Sequence, residues 1–211
     1  MSEEIRVWGI HTLDDNLFLK ENVVAIGWNE IGDLSKIAPD RGAFKKKYTE
    51  TYPDAKKMGI ATSAGMLYRF AHEVQIGDYI VFPSKINREI NIGTVESDYI
   101  YEPDTESYVQ QRKVKWLKHL PRTAFSQGAL YEIGSAMSFF SVRNYADEFL
   151  AALDKNFKVT VSADTADDET VAATADEIIE NTRDYILKEL SRNLKGYDLE
   201  EFAADLLSAM G

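Results

Sequence analysis

The chain of 211 residues carries 24 Lys and Arg against 35 Asp and Glu, a formal net charge of -11, with no cysteine and three histidines. The lack of cysteine excludes a disulfide framework and a thiolate zinc site, and the scattered His11, His72 and His119 offer no metal-ligand spacing. No apolar run approaches the roughly 20 residues that cross a bilayer, and the acidic start MSEEIRVWGI lacks the basic opening of a signal peptide, so a cytoplasmic chain with no metal and no membrane contact is expected.

Arg6 to Ile10 reads as a first strand, and Val23 to Trp28 as a second, β-branched run that ends in the loop Gly27-Trp28-Asn29. Phe44 and Tyr48 stand four apart, which predicts a short helix over Gly42 to Tyr52, closed by Pro53. Thr62 and Ser63 are N-cap candidates for a better helix, whose stripe of Met66, Leu67, Phe70, Ala71 and Val74 stops at Gly77-Asp78. Tyr79 to Pro83 then reads as a buried strand, with Ile90 to Tyr101 as its hairpin partner after the polar turn Lys85 to Glu89. Val109 to Leu117 alternates, placing Arg112, Val114 and Trp116 on one face and Lys113, Lys115 and Leu117 on the other. Met137 to Val142 completes about six strands, and Asp147 to Leu153 reads as a closing helix.

Short strands interrupted by one good helix and several weak ones favour an α+β fold, a small curled mixed sheet with peripheral helices, over a doubly wound parallel sheet. Residues 1–155 form one domain on this reading. Residues 156–176 form an acidic linker, because Ser162 to Asp176 is rich in Ala, Asp and Thr and has no aromatic. Residues 177–211 are expected to be helical: Ile178, Ile179, Tyr185, Ile186 and Leu190 recur at helical spacing, and Leu199, Phe202, Leu206 and Met210 form a second stripe. Two helices rarely make a core alone, so this segment is either a docking or dimerising element or the start of a further domain.

The charge is unevenly placed. Residues 1–155 hold 19 Lys or Arg against 22 Asp or Glu, whereas residues 156–211 hold 5 against 13, so most of the acidity belongs to the tail. Between Ser107 and Tyr131 stand Arg112, Lys113, Lys115, Lys118 and Arg122 without one carboxylate, a local basic strip able to replace phosphate counterions. Charge runs also mark solvated faces, and strand alternation lets only part of this set touch one backbone. Lys45, Lys46 and Lys47 form a second, smaller cluster.

The stretch Ala25-Ile26-Gly27-Trp28-Asn29-Glu30-Ile31-Gly32-Asp33-Leu34-Ser35, the helix around Met66 to Phe70, and Gly77-Asp78-Tyr79-Ile80-Val81-Phe82-Pro83-Ser84 together resemble the EVE branch of the PUA-like superfamily, to which YTH domains are related. The resemblance covers about residues 5 to 150 and implies a small PUA/EVE-like mixed β-barrel with a ligand pocket beside the Trp-bearing loop. The chain departs from that pattern in having Pro83-Ser84 where an aromatic-His pair is usual. In the tail, Tyr197-Asp198-Leu199-Glu200-Glu201-Phe202 with Leu206-Leu207 and Met210-Gly211 resembles the opening helix of Mrr-type restriction endonuclease domains. That second resemblance implies the reader half of a type IV, modification-dependent restriction enzyme, whose complete nuclease domain would use Mg2+. Only Glu200 matches a family acid here, so no catalysis and no cofactor are expected of this chain itself, and DNA, with or without modified bases, is the expected partner.

An exposed indole is a stacking platform for an unpaired base, which makes Trp28 the first candidate; the alternative is a Trp that caps the barrel core with its N–H satisfied. The resemblance places Phe82, Tyr99 and Tyr101 as opposite walls of the same mouth. Asn29, Asp33 and Ser84 are candidates for hydrogen bonds to a flipped base, against the plainer role of loop capping, which suits Asp33 before Leu34-Ser35. Arg112, Lys113, Lys115, Lys118 and Arg122 are the phosphate candidates. Asp167-Asp168-Glu169 lies in the linker with nothing to fix its geometry, and no phosphate-loop, nucleophile-elbow or zinc-protease pattern occurs. A modified-base-reading DNA module is therefore the leading expectation. The alternatives are an RNA-binding PUA-like module, or a non-catalytic interaction protein that works through its C-terminal helices. A homodimer through residues 177–211 is also expected, since the stripe on the last helix needs a partner.

Overall fold

In the computed structural model, which describes residues 5–105, 107–154, 157, 204 and 208, one mixed sheet carries the molecule. Its strands are β1 (Val7–Ile10), β2 (Val23–Ile26), β3 (Tyr79–Pro83), β4 (Glu89–Val95), β5 (Ile100–Tyr101), β6 (Gln110–Pro121) and β7 (Phe139–Val142). They run in the order β2-β6-β4-β3-β1-β7, with β5 also paired to β6. All pairs are antiparallel except β1 with β3. The fold is α+β: the sheet curls into a half-barrel and several helices pack on it.

Strand period explains how one sheet serves two cores. Ile80 and Phe82 point to one face with Trp8 and Ile10, while Val81 between them joins Val7, Ile90 and Ile92 on the other. Burial on both faces is why β1 and β3 read as continuous apolar runs. The first core is closed by α1 (Asp15–Glu21), α2 (Arg41–Thr51) and α3 (Lys57–Tyr68) through Phe18, Phe44, Tyr48 and Leu67. The second is closed by α4 (Gln127–Ile133) and α5 (Ala146–Ala151) through Leu130, Ile133 and Phe149.

The long strand β6 joins the two halves of the sheet. Its first residues pair with β2 and β5, and its remainder pairs with β4. The register slips by one residue between Ile92 and Gly93, opposite Lys118 and Trp116, a bulge of the kind that bends a strand and helps a sheet curl. Gly93 is required there, because a Cβ would lie 2.7 Å from the Lys115 carbonyl oxygen and 2.9 Å from the Trp116 ring.

Four elements differ from the sequence reading. The helix expected to be capped by Thr62 or Ser63 begins earlier, at Lys57, after Lys56 in extended backbone, and it continues as a π turn over Arg69–Glu73. Thr62 and Ser63 thus lie inside it. The return strand expected over Ile90 to Tyr101 is split into β4 and β5 at Ser97-Asp98, where the Ser97 hydroxyl donates to the Asp98 carbonyl at 2.7 Å. Helices α1 and α4 were not expected, since each spans only seven residues and so barely reaches two turns of apolar periodicity. The linker 156–176, the helical segment 177–211 with its Glu200, and the dimer surface lie outside the described residues apart from Phe157, Ala204 and Ser208.

Candidate functional site

β2 delivers the chain into a loop that holds Trp28 at φ 68 and ψ 48. That left-handed conformation costs an L-residue about 1–2 kcal/mol, and for a bulky side chain it marks a position that the surroundings impose. The surroundings are identifiable. The Trp28 indole N–H donates to the Tyr48 hydroxyl on α2 at 3.1 Å, and the indole packs half-buried against the first core. The Trp28 carbonyl accepts from Ile31 N–H at 3.2 Å, and Gly32, at φ 76, completes the single 3₁₀ turn between them.

The same loop hangs from the start of β6. The fully buried Gln110 carboxamide donates to the Gly32 carbonyl at 2.9 Å and accepts from the Tyr99 hydroxyl. That hydroxyl in turn accepts from Leu34 N–H at 3.0 Å. Asn29 donates its amide N–H to the Ser107 carbonyl at 2.6 Å. Its carbonyl Oδ1 is buried and has no hydrogen-bond partner among the described residues, an acceptor whose neglect costs about 1–3 kcal/mol. Next to it, Tyr52 donates to the Glu30 carboxylate at 2.7 Å, which lowers the Glu30 pKa, and the Tyr48 and Tyr52 rings lie 4.9 Å apart. Asp33 caps the following 3₁₀ turn: its Oδ1 accepts from the Ser35 amide and hydroxyl at 3.0 and 2.7 Å. Partial burial opposes ionisation of Asp33, but the Ser35 hydrogen bonds and Lys36 outweigh it and lower the pKa.

The structure turns several of the expected ligands inward. Phe82, expected as a pocket wall, is 1% exposed and sits in the first core with its ring 5.0 Å from that of Phe18. Ser84, expected to read a base, is buried and donates to the Asp15 carboxylate at 2.6 Å; that carboxylate also accepts from the Lys85 and Ile86 amides. Tyr101 is half-buried on β5. Of the expected phosphate ligands, Lys113 and Lys115 are exposed on β6, but Arg122 is buried. Lys118 donates to the Ala152 and Asp154 carbonyls at 2.6 and 2.7 Å, capping the end of α5.

Arg112 is the largest departure. It is 2% exposed and belongs to the interior. Its Nε donates to the Phe70 carbonyl at 2.8 Å, and its Nη2 and Nη1 donate to the Ala71 and Ser97 carbonyls at 3.0 Å. Phe70 and Ala71 lie in the π turn that ends α3, where the carbonyls left without intrahelical donors need a cap and the helix dipole favours a cation. Burial pushes the guanidinium down to about 10, with Asp98 and Asp78 acting the other way, so it is charged at neutral pH.

Over Arg112 opens a cleft of about 490 Å3, lined by His72, Val74, Gln75, Asp98 and Tyr99, with Ser35 at the end of the Trp28 loop on its rim. The His72 pKa is lowered by burial and then by Arg112, which leaves a neutral imidazole at pH 7. Burial raises the Tyr99 pKa, so the phenol stays protonated. The cleft brings together Tyr99 and Arg112 of the expected residues, and Trp28, Asn29 and Asp33 stand on the loop beside it.

The sequence reading missed Tyr48, Gln110 and Asp98. The Phe44–Tyr48 spacing pointed Tyr48 at the core but not at Trp28, and Gln110 looked like the polar start of a strand. Among the described residues no group of three or more His, Asp or Glu is placed to hold a metal ion, and no helix is long and apolar enough to cross a membrane. A family model described as a domain of unknown function (DUF8426) matches residues 12–142, more than half of the chain. No curated protein and no solved structure matches.

Proposed function

Since the chain belongs to the DUF8426 family, whose description assigns no activity, its function has to be read from the site, and we propose that it is a DNA-binding module that reads an unstacked, modified base at the Trp28 loop. The observation that carries this reading is the pairing of Trp28, held in left-handed backbone by Tyr48, with the unpartnered Oδ1 of its neighbour Asn29. Removing a base from the stack costs a few kcal/mol, and stacking on one aromatic side chain returns about 1–3 kcal/mol. An exocyclic amino group on that base supplies the donor that Asn29 Oδ1 lacks. Lys113 and Lys115 are the exposed cations of β6 available to phosphates, with Lys45, Lys46 and Lys47 exposed on α2.

On the resemblance of the tail to Mrr-type domains, the module serves a type IV, modification-dependent restriction endonuclease. The nuclease domain of that enzyme would require Mg2+, and residues 177–211 would pair two copies so that both strands can be cut. Light scattering on the full chain and on a version ending at Asn156 tests the pairing: the first is expected as a dimer and the second as a monomer.

The base-reading claim is tested by comparing matched DNA and RNA oligonucleotides with and without modified cytosine or adenine. The modified DNA is expected to bind most tightly, with affinity falling steeply as salt rises. A preference for RNA would make this an RNA reader. Equal weak binding to all of them would remove base reading, and salt-independent association would point to an interaction protein.

A further inference from the structure

The cleft over Arg112 holds two opposite charges that do not meet. Arg112 carries five N–H donors, of which three are taken by the Phe70, Ala71 and Ser97 carbonyls, leaving one N–H on each terminal nitrogen. Both that guanidinium and the exposed Asp98 line the cleft, and the Asp98 carboxylate makes no hydrogen bond and no ion pair among the described residues. Asp98 is the largest charge influence on Arg112, yet the two are not bridged by a contact. The cleft is also lined by Tyr99, whose hydroxyl is already engaged by Leu34 N–H and Gln110, by Val74, and by His72.

This arrangement selects for a ligand that offers acceptors toward the guanidinium and donors toward the carboxylate on one plane, with a flat apolar body between. A simple anion fits poorly, because Asp98 repels it. A simple cation fits poorly for the same reason with Arg112. A guanine base fits both: O6 and N7 match a pair of arginine N–H groups, and the adjacent N1–H and amino group match a carboxylate. The volume of about 490 Å3 lies within the range of small-molecule sites.

We propose that this cleft is a second ligand site, separate from the Trp28 loop and independent of its role, that takes a guanine base through Arg112 and Asp98. Asp98 is the residue to change, since it is exposed and supports no other contact, whereas Arg112 holds the end of α3 and its loss would disturb the fold.

Calorimetric titration of the full chain with guanosine, cytidine, adenosine and uridine, and with a single-stranded oligonucleotide carrying one guanine, tests the site. Guanosine is expected to bind at least about tenfold more tightly than adenosine, cytidine or uridine, because guanine offers two acceptors on one edge and two donors on the next, whereas each of the others meets at least one of the two charges with a single hydrogen bond. Asp98→Asn is expected to weaken guanosine by about tenfold or more, in the parent and in a Trp28→Ala background alike. If the Asp98 dependence is seen only with the oligonucleotide, the base is taken from a strand rather than from a free nucleoside. No binding, equal binding of all four nucleosides, or an Asp98→Asn variant indistinguishable from the parent with both ligands would overturn the proposal.

Discussion

Two tryptophans in this molecule do the same local chemistry in different settings. Trp8 lies in β1, 4% exposed, and its indole N–H donates at 2.8 Å to the Asp78 carboxylate, which also accepts from Gln75 N–H. Its ring stacks on Phe139 at 5.2 Å. The indole N–H has a charged acceptor whose Oδ2 takes both bonds, the backbone of Trp8 is ordinary strand, and Asp78 stands just ahead of β3, the parallel neighbour of β1. Trp28 donates to a neutral hydroxyl at 3.1 Å, is half-buried, sits at a positive φ, and has an unsatisfied carbonyl next to it. The difference teaches where the molecule keeps its stability and where it has kept unsatisfied chemistry: the first indole holds two strands together, and the second is held by the fold for something else to touch.

The sharpest way to break that comparison is to remove the first indole. Trp8→Ala is expected to cost about 3–5 kcal/mol, because it empties the core between β1 and α3 and strands the buried Asp78 carboxylate. Denaturant unfolding measures it, and a loss under about 1 kcal/mol would mean that Trp8 is not structural. Next in size is Arg112→Met, expected to cost about 2–4 kcal/mol because one buried and two half-buried carbonyls lose their donor at once. The same melts would show it, and unchanged stability would restore Arg112 to the surface role that its charge first suggested.

Much of the sheet was legible because strand period and β-branching act locally. β1, β2, β3 and β7 lie where their apolar runs stand in the sequence, and Phe44 with Tyr48 announced the buried face of α2. What the sequence could not convey was direction at charged positions. Alternation put Arg112 with Val114 and Trp116, the buried side of β6, yet the residue type argued for solvent, and only the π turn of α3, with its carbonyls aimed at that strand, shows why burial wins. Phe82 and Ser84 read as a pocket wall and a base contact because family likeness placed them at a mouth. Asp15, in a helix too short to recognise, is what draws Ser84 inward. Asp33 took its plainer role, and the unpaired Asn29 Oδ1 has no signature short of three dimensions.

The second indole gives a subtler pair of variants. Trp28→Gly is expected to be more stable than Trp28→Ala by about 1 kcal/mol, because only glycine adopts a positive φ without a Cβ penalty. Parallel thermal melts decide this, and equal stability would remove the strain from Trp28. The smallest effect concerns the lysines. Lys113→Ala and Lys115→Ala are each expected to leave stability within about 0.5 kcal/mol and to reduce the salt slope of DNA binding by about one. Lys118→Ala, which uncaps α5 instead, is expected to lower stability and leave that slope alone.

The contrast between the indoles stands or falls on one measurement, the affinity of the parent chain and of Trp28→Ala for a DNA oligonucleotide with a single modified base, taken together with the melting curve of each protein. A Trp28→Ala protein that melts cooperatively like the parent but has lost about 1–3 kcal/mol of binding is the expected result. A variant that binds as tightly as the parent, or one that loses its fold along with its affinity, would contradict it and place Trp28 with Trp8 among the structural residues.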